Sequence, residues 1–241
     1  MMISLSILEY EPELYKHMEN LARSEALSKI LRLIETGKVH ILHIDVMRPP
    51  MIPNKTRFSV KLIRRLYEML HERIPFAIHL MVQNPFPILS EINEFINKKE
   101  RHKTIVFIQV ESFISEEEIV KSIKLLREYG YKAGICLDLP TPQRTLTDRI
   151  IEAADIVLLM SVPMGEGGQK YSSEATRRIS HLYRRFPNKT IEVDGGINPQ
   201  TIAIAAKAGV RMAVIGSFIT LSKDPTKAIH DLEASLKRTQ V

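Results

Sequence analysis

Apolar and polar positions along the chain alternate between two kinds of segment. Short aliphatic runs stand at residues 3–8, 39–46, 76–82, 104–110, 133–137, 156–162, 190–193 and 212–215. Runs this short and rich in Val, Ile and Leu fit parallel strands buried on both faces. Amphipathic stretches lie between them. Residues 11–33 form the longest. Residues 59–70 place Val60, Ile63, Leu66 and Leu70 on one side, and residues 115–129 open at Ser115 with acidic residues behind it, the pattern of an N-cap. Further helices are predicted at 145–154, 173–185, 199–208 and 225–238. Eight such runs at similar spacing, all but the third followed by a helical stretch, predict an α/β fold, a closed (β/α)8 TIM barrel, as one domain over residues 1–241. An open doubly wound sheet usually has fewer strands and a different glycine signature after its first strand. No linker or low-complexity tract divides the chain.

Length and composition agree. The chain has 241 residues, and one such barrel takes about 250. Hydrophobic residues make up 44% and charged residues 26%, the balance of a soluble globular protein. With no Trp and 6% aromatics, the core must be aliphatic. The single cysteine, Cys136, excludes an internal disulfide and reads as a buried small hydrophobe. The first ten residues lack a basic leader and turn acidic at Glu9, so no signal peptide is expected; together these point to the cytoplasm. No apolar run reaches the roughly 18 residues of a membrane span.

A net charge of +6 admits nucleic acid, anionic lipid or a phosphorylated small molecule as partner. The basic clusters, Lys98, Lys99, Arg101 and Lys103 and then Arg177, Arg178, Arg184 and Arg185, are scattered and read as solvated helix faces. No aromatic-plus-basic motif or zinc-finger spacing accompanies them, which argues against nucleic acid.

Candidate chemistry sits at strand ends, where this barrel carries its functional groups. The second run ends His43-Ile44-Asp45, and residues two apart on a strand face the same way. The third contains His79, and the seventh leads into Asp194. Two imidazoles and two carboxylates from three strands form a plausible mixed nitrogen and oxygen metal site. The remaining histidines fall mostly on helices or outside strand ends. Glycines follow the late strands as Gly165-Glu166-Gly167-Gly168, Gly195-Gly196 and Gly216-Ser217. Their N–H groups can hold phosphate oxygens, and late-strand loops are where this barrel usually binds phosphate. Met47, Met81 and Met160 also stand near strand ends, where methionine is ordinarily core filler.

These segments resemble the ribulose-phosphate 3-epimerase family over nearly the whole chain. The resemblance is carried by Ser6-Ile7-Leu8, His43-Ile44-Asp45-Val46-Met47, Ile52-Pro53-Asn54, His79-Leu80-Met81-Val82, Asn84-Pro85, Thr141-Pro142, Leu158-Leu159-Met160-Ser161-Val162, Gly167-Gly168-Gln169, Val193-Asp194-Gly195-Gly196-Ile197 and Gly216-Ser217. It implies a barrel of the ribulose-phosphate-binding type and a metal-dependent isomerase. One divalent cation (zinc, iron, manganese or cobalt) would be held by His43, Asp45, His79 and Asp194. Asp45 and Asp194 would double as catalytic acid and base at the third carbon of a ketose phosphate. Ser6 and His79 would lie near the sugar, Met47, Met81 and Met160 would line the planar intermediate, and Gly165, Gly167, Gly168, Gly195, Gly196, Gly216 and Ser217 would take the phosphate. Such barrels are commonly homo-oligomers.

The sequence departs from the family where substrate is expected. Arg48-Pro49 stands for Asp-Gly, Pro163-Met164-Gly165-Glu166 for Asn-Pro-Gly-Phe, Gln109 for a usual His and Asp138-Leu139 for Asn-Pro. The first connection, residues 11–38, is longer than usual. Ribulose 5-phosphate and xylulose 5-phosphate, pentose phosphates, are the default substrates, and a six-carbon ketose phosphate such as allulose 6-phosphate is the sister expectation. From other classes, related lyases carry an Asp-x-Lys-x-x-Asp motif not found at the second or third strand end. A sugar-phosphate-binding barrel with impaired turnover is the alternative that Arg48, Pro163 and Glu166 raise.

Overall fold

The computed structural model describes residues 1–239. Eight parallel strands close into a barrel in chain order: β1 (Met2–Ser6), β2 (Ile41–Met47), β3 (Phe76–Met81), β4 (Thr104–Gln109), β5 (Lys132–Leu137), β6 (Ile156–Met160), β7 (Thr190–Asp194) and β8 (Met212–Ile215). β8 closes on β1 through the register Met2↔Met212 to Leu5↔Ile215. The predicted barrel is therefore the observed one.

The pleat explains why each strand reads as one apolar run. On β2, Leu42, Ile44 and Val46 pack outward into the core shared with the helices. Ile41 and Met47 belong to separate interior clusters, and His43 and Asp45 share their side of the strand. The interior is filled by Ile41, Ala77, Ile105, Phe107, Cys136, Ile156, Leu158 and Met212, with Met160, Val162 and Val214 above. It is a packed core, as small barrels require.

The outer layer is α1 (Glu11–Lys16), α2 (Glu25–Glu35), α3 (Val60–Leu70), α4 (Phe86–Asn93), α5 (Glu116–Glu128), α6 (Asp148–Ala153), α7 (Ser173–Arg185), α8 (Pro199–Ala208), α9 (Ser217–Thr220) and α10 (Pro225–Thr239). Ser115 caps α5 as expected, accepting from the Glu118 N–H. The long helix expected over 11–33 is broken. α1 passes into a 3-10 stretch, Met18–Arg23, where Asn20 leaves helical geometry at φ −145° and ψ 77°. Ser24 then caps α2, accepting from the Leu27 N–H. Leu14, Leu21, Leu27, Ile30 and Leu33 are all buried, so the apolar period runs across a break it does not reveal. α4 and α9 had no predicted counterpart: α9 has four residues, and α4 crowds Phe86, Ile88 and Leu89 at its start instead of spacing them along a helical face. No helix of the described residues is long and apolar enough to cross a membrane.

Candidate active site

His43 and Asp45 on β2, His79 on β3 and Asp194 at the end of β7 converge at the barrel's C-terminal mouth. One ligand atom from each lies within 4.8 Å of the others. The strand register explains the meeting, since β2 and β3 pair with Asp45 opposite His79. His43 and His79 are fully buried, and Asp45 is 4% exposed. His43 Nε2 stands 3.2 Å and His79 Nδ1 3.3 Å from Asp45 Oδ1. Ligands at about 2.0–2.1 Å from a tetrahedral cation are about 3.3 Å apart, so this spacing suits a divalent ion. His43 Nδ1 and Nε2 and His79 Nδ1 are buried without a hydrogen-bond partner. Buried polar atoms are rarely left so, and a cation between them would satisfy the ring nitrogens that face it. The residues present therefore fit a metal.

The residues behind the quartet fix its shape. Gln109, fully buried on β4, is 2.8 Å from His79 Nε2. In the amide orientation that satisfies the network, its carbonyl accepts from His79 Nε2–H while its nitrogen donates to Glu111 Oε2 at 2.7 Å and to the Cys136 carbonyl at 3.3 Å. With the proton held on Nε2, the lone pair of His79 is on Nδ1, toward the quartet. Ser6 Oγ donates to Asp45 Oδ2 at 2.7 Å. Phe107 underlies both imidazoles, its ring centre 6.2 Å from each. Glu192, two residues before Asp194 on β7 and fully buried, accepts from Ser4 Oγ at 2.6 Å. Sequence reasoning missed Glu192, although period-two spacing from Asp194 was its available signal.

One pocket opens above the quartet. Ser6, Asp45, Met47, Met81, Met160, Gly165, Gly167, Gly168, Asp194, Gly195, Gly196, Gly216 and Ser217 all line it. The predicted substrate residues are thus brought together with both aspartates. His43 and His79 are buried beside Asp45 and are not among the residues that line it. Glu9, which sequence reasoning did not single out, is on the wall.

A ribulose-phosphate 3 epimerase family model matches residues 21–220. The chain belongs to the ribulose-phosphate 3-epimerase family. That membership places it among isomerases. It is 29% identical over 217 residues to the ribulose-phosphate 3-epimerase of Bacillus subtilis (strain 168), covering 87% of this chain and 93% of that one. It is 33% identical over 202 residues to the cytoplasmic isoform of Oryza sativa subsp. japonica, covering 83% of each. The 3-hexulose-6-phosphate synthase of Salmonella typhimurium has the same fold, with a TM-score of 0.67 at 18% identity over 99% of this chain and 100% of that one.

Several departures from the ribulose-phosphate 3-epimerase pattern have structural roles. The Arg48 guanidinium donates to the carbonyls of Met47, Arg57 and Phe58, clamping the connection after β2. Glu166 is on the pocket wall, but its side chain is 72% exposed and pairs with Lys55 at 3.2 Å. Asp138 accepts from the N–H groups of Leu139 and Met164, both at 2.8 Å, and so ties the fifth loop to the sixth.

The two aspartates titrate in opposite directions. Burial alone would raise Asp45, but His43 and His79 hold it well below the usual carboxylate range. Burial, then the Asp45 charge, pushes Asp194 up to about 8. Burial opposes charge on His43, yet Asp45, Asp194 and Glu192 outweigh it and lift its pKa to about 9. Two carboxylates over one pocket floor, one held charged and one held protonated, can act as base and acid.

Proposed function

We propose that this barrel inverts the third carbon of a ketose phosphate, interconverting ribulose 5-phosphate and xylulose 5-phosphate. The observation that carries the proposal is the pairing of Asp45 and Asp194 on one pocket floor, within 4.8 Å reach of two buried histidines. His43, Asp45, His79 and Asp194 would hold one divalent cation (zinc, iron, manganese or cobalt). When bound, it supplies Lewis-acid stabilisation to negative charge developing on substrate oxygens. The Asp45 carboxylate takes the proton from the third carbon, and the electron pair of that C–H bond passes into the adjacent carbonyl to leave a planar enediolate. The Asp194 carboxyl then delivers its proton to the opposite face, inverting the centre. The other epimer runs the same steps with the roles exchanged. Ser6 holds Asp45 by its second oxygen while the first faces the histidines. Met47, Met81 and Met160 line the pocket with apolar surface, which keeps these charge interactions strong. Gly165, Gly167, Gly168, Gly195, Gly196, Gly216 and Ser217 would receive the phosphate.

Incubation with ribulose 5-phosphate and a divalent metal in deuterated water tests the proposal. Xylulose 5-phosphate carrying deuterium at the third carbon is expected, and Asp45→Asn or Asp194→Asn should each slow exchange by about 10²–10⁴. Absence of exchange with both ribulose 5-phosphate and allulose 6-phosphate would sink it.

A further inference from the structure

Glu9 brings a carboxylate to the glycine-lined end of the pocket. It lies in the 3-10 turn Leu8–Tyr10 that follows β1. Its Oε2 accepts from Thr220 Oγ1 of α9 at 3.0 Å. Its other oxygen lies against the sixth loop, so close that a Cβ built on Gly167 would meet Oε1 at 2.4 Å. A Cβ on Gly216 would stand 3.3 Å from Oε2. The carboxylate therefore spans two of the three glycine clusters that line this end. Among the described residues it forms no ion pair. Burial raises its pKa, and Asp45 adds to the rise. The pocket has a free volume of about 50 Å³, room for only a few waters by the usual measure of about 10–15 Å³ each.

Carboxylate and phosphate oxygens seek the same donors, backbone N–H groups and hydroxyls. Two anions in one small cleft repel strongly, because the protein screens them less than water does. Glu9 and a substrate phosphate cannot both occupy the space between Gly167 and Gly216.

We propose that Glu9 is an internal competitor for the substrate's phosphate group. Its carboxylate occupies part of the glycine cradle, and a phosphorylated sugar binds only by displacing or neutralising it. Glu9 thereby sets how strongly the site discriminates between a phosphate and a smaller or uncharged end group. The inference rests on the pocket being a sugar-phosphate site, but not on what happens at the third carbon.

The test is calorimetric titration of inorganic phosphate into wild type, Glu9→Gln and Glu9→Ala, each with and without divalent metal, so that phosphate ligating the cation is recognised by its metal dependence. Glu9→Gln keeps an acceptor for Thr220 and removes the charge. Both variants should bind phosphate at least about tenfold more tightly than wild type, by the same factor with and without metal. The KM for ribulose 5-phosphate should fall in step. Should Glu9→Gln fail to fold, the phosphate affinity of Glu9→Ala decides. A change below about twofold in the folded variants overturns the inference and leaves Glu9 as a structural anchor for α9. Tighter phosphate binding with no turnover of ribulose 5-phosphate would uphold the inference and remove the proposed reaction. Turnover with unchanged phosphate affinity would do the reverse.

Discussion

Replacing Gln109 by Leu should loosen the metal without touching a ligand. The substitution is close in volume, and position 109 is fully buried, so packing changes little. What it removes is the acceptor for His79 Nε2–H and the donor to Glu111 Oε2. A buried donor left without a partner costs about 1–3 kcal/mol. His79 can escape that cost only by turning its ring or moving its proton to Nδ1, which stands 3.3 Å from Asp45 Oδ1, and both take the lone pair away from the centre of the quartet. The cost therefore falls on metal binding, and residues that orient metal-bound histidines are worth about 10–100-fold in affinity. That range is about 1.4–2.8 kcal/mol, within the hydrogen-bond figure. Competition titration against a chromogenic chelator measures the effect directly. Circular dichroism of metal-free protein shows whether the fold is intact. If Gln109→Leu holds the ion within twofold of wild type while folded, Gln109 does not fix the His79 tautomer.

Two further outcomes follow from the same floor. Gly134 on β5 faces Phe107, and a Cβ there would sit 2.1 Å from the ring; Gly134→Ala should therefore cost about 1–3 kcal/mol by overpacking, lower the melting temperature by roughly 2–12 °C, and weaken metal binding because Phe107 packs under both His43 and His79. An unchanged melting temperature would refute this. Metal affinity should also rise with pH: without metal, His43 with pKa about 9 is protonated at neutrality, so the ion must displace that proton, and the apparent affinity gains up to about tenfold per pH unit, levelling off above pH 9. Dissociation constants at pH 6, 7 and 8 would refute the argument if they coincide.

The barrel was legible because both faces of its strands are buried, which writes eight short aliphatic runs into the chain. The quartet was legible for the converse reason: His43, Asp45, His79 and Asp194 interrupt such runs near their ends, where burial makes a polar residue costly unless it is used. Gln109, Ser6 and Glu192 behave differently. Their value lies in what they touch, and a hydrogen bond between Ser6 and Asp45 joins residues 39 apart. Ser6 entered through the family pattern alone, Gln109 registered only as a departure from it, and Glu192 passed for an ordinary strand residue. The break at Asn20 was hidden by an apolar period that continues across it, and α4 by apolar residues crowded at its start.

The departures from the family make sense as one interlocking set. Lys55 Nζ donates to the Gly165 carbonyl at 2.9 Å and pairs with Glu166. Asp138 holds Met164 from the fifth loop, and Gln169 donates to the carbonyls of Pro163 and Glu166. Arg48 fixes the other side of the connection that carries Lys55. Arg48, Asp138 and Glu166 each grip a neighbouring loop, and none of these contacts reaches Asp45 or Asp194; Gln109 alone of the replacements acts below, on His79. These substitutions thus reshape the pocket rim, while His43, Asp45, His79 and Asp194 below it are kept. With Glu9 against Gly167 on that same rim, divergence in this chain falls mainly on the loops that shape the pocket mouth, one layer above the quartet.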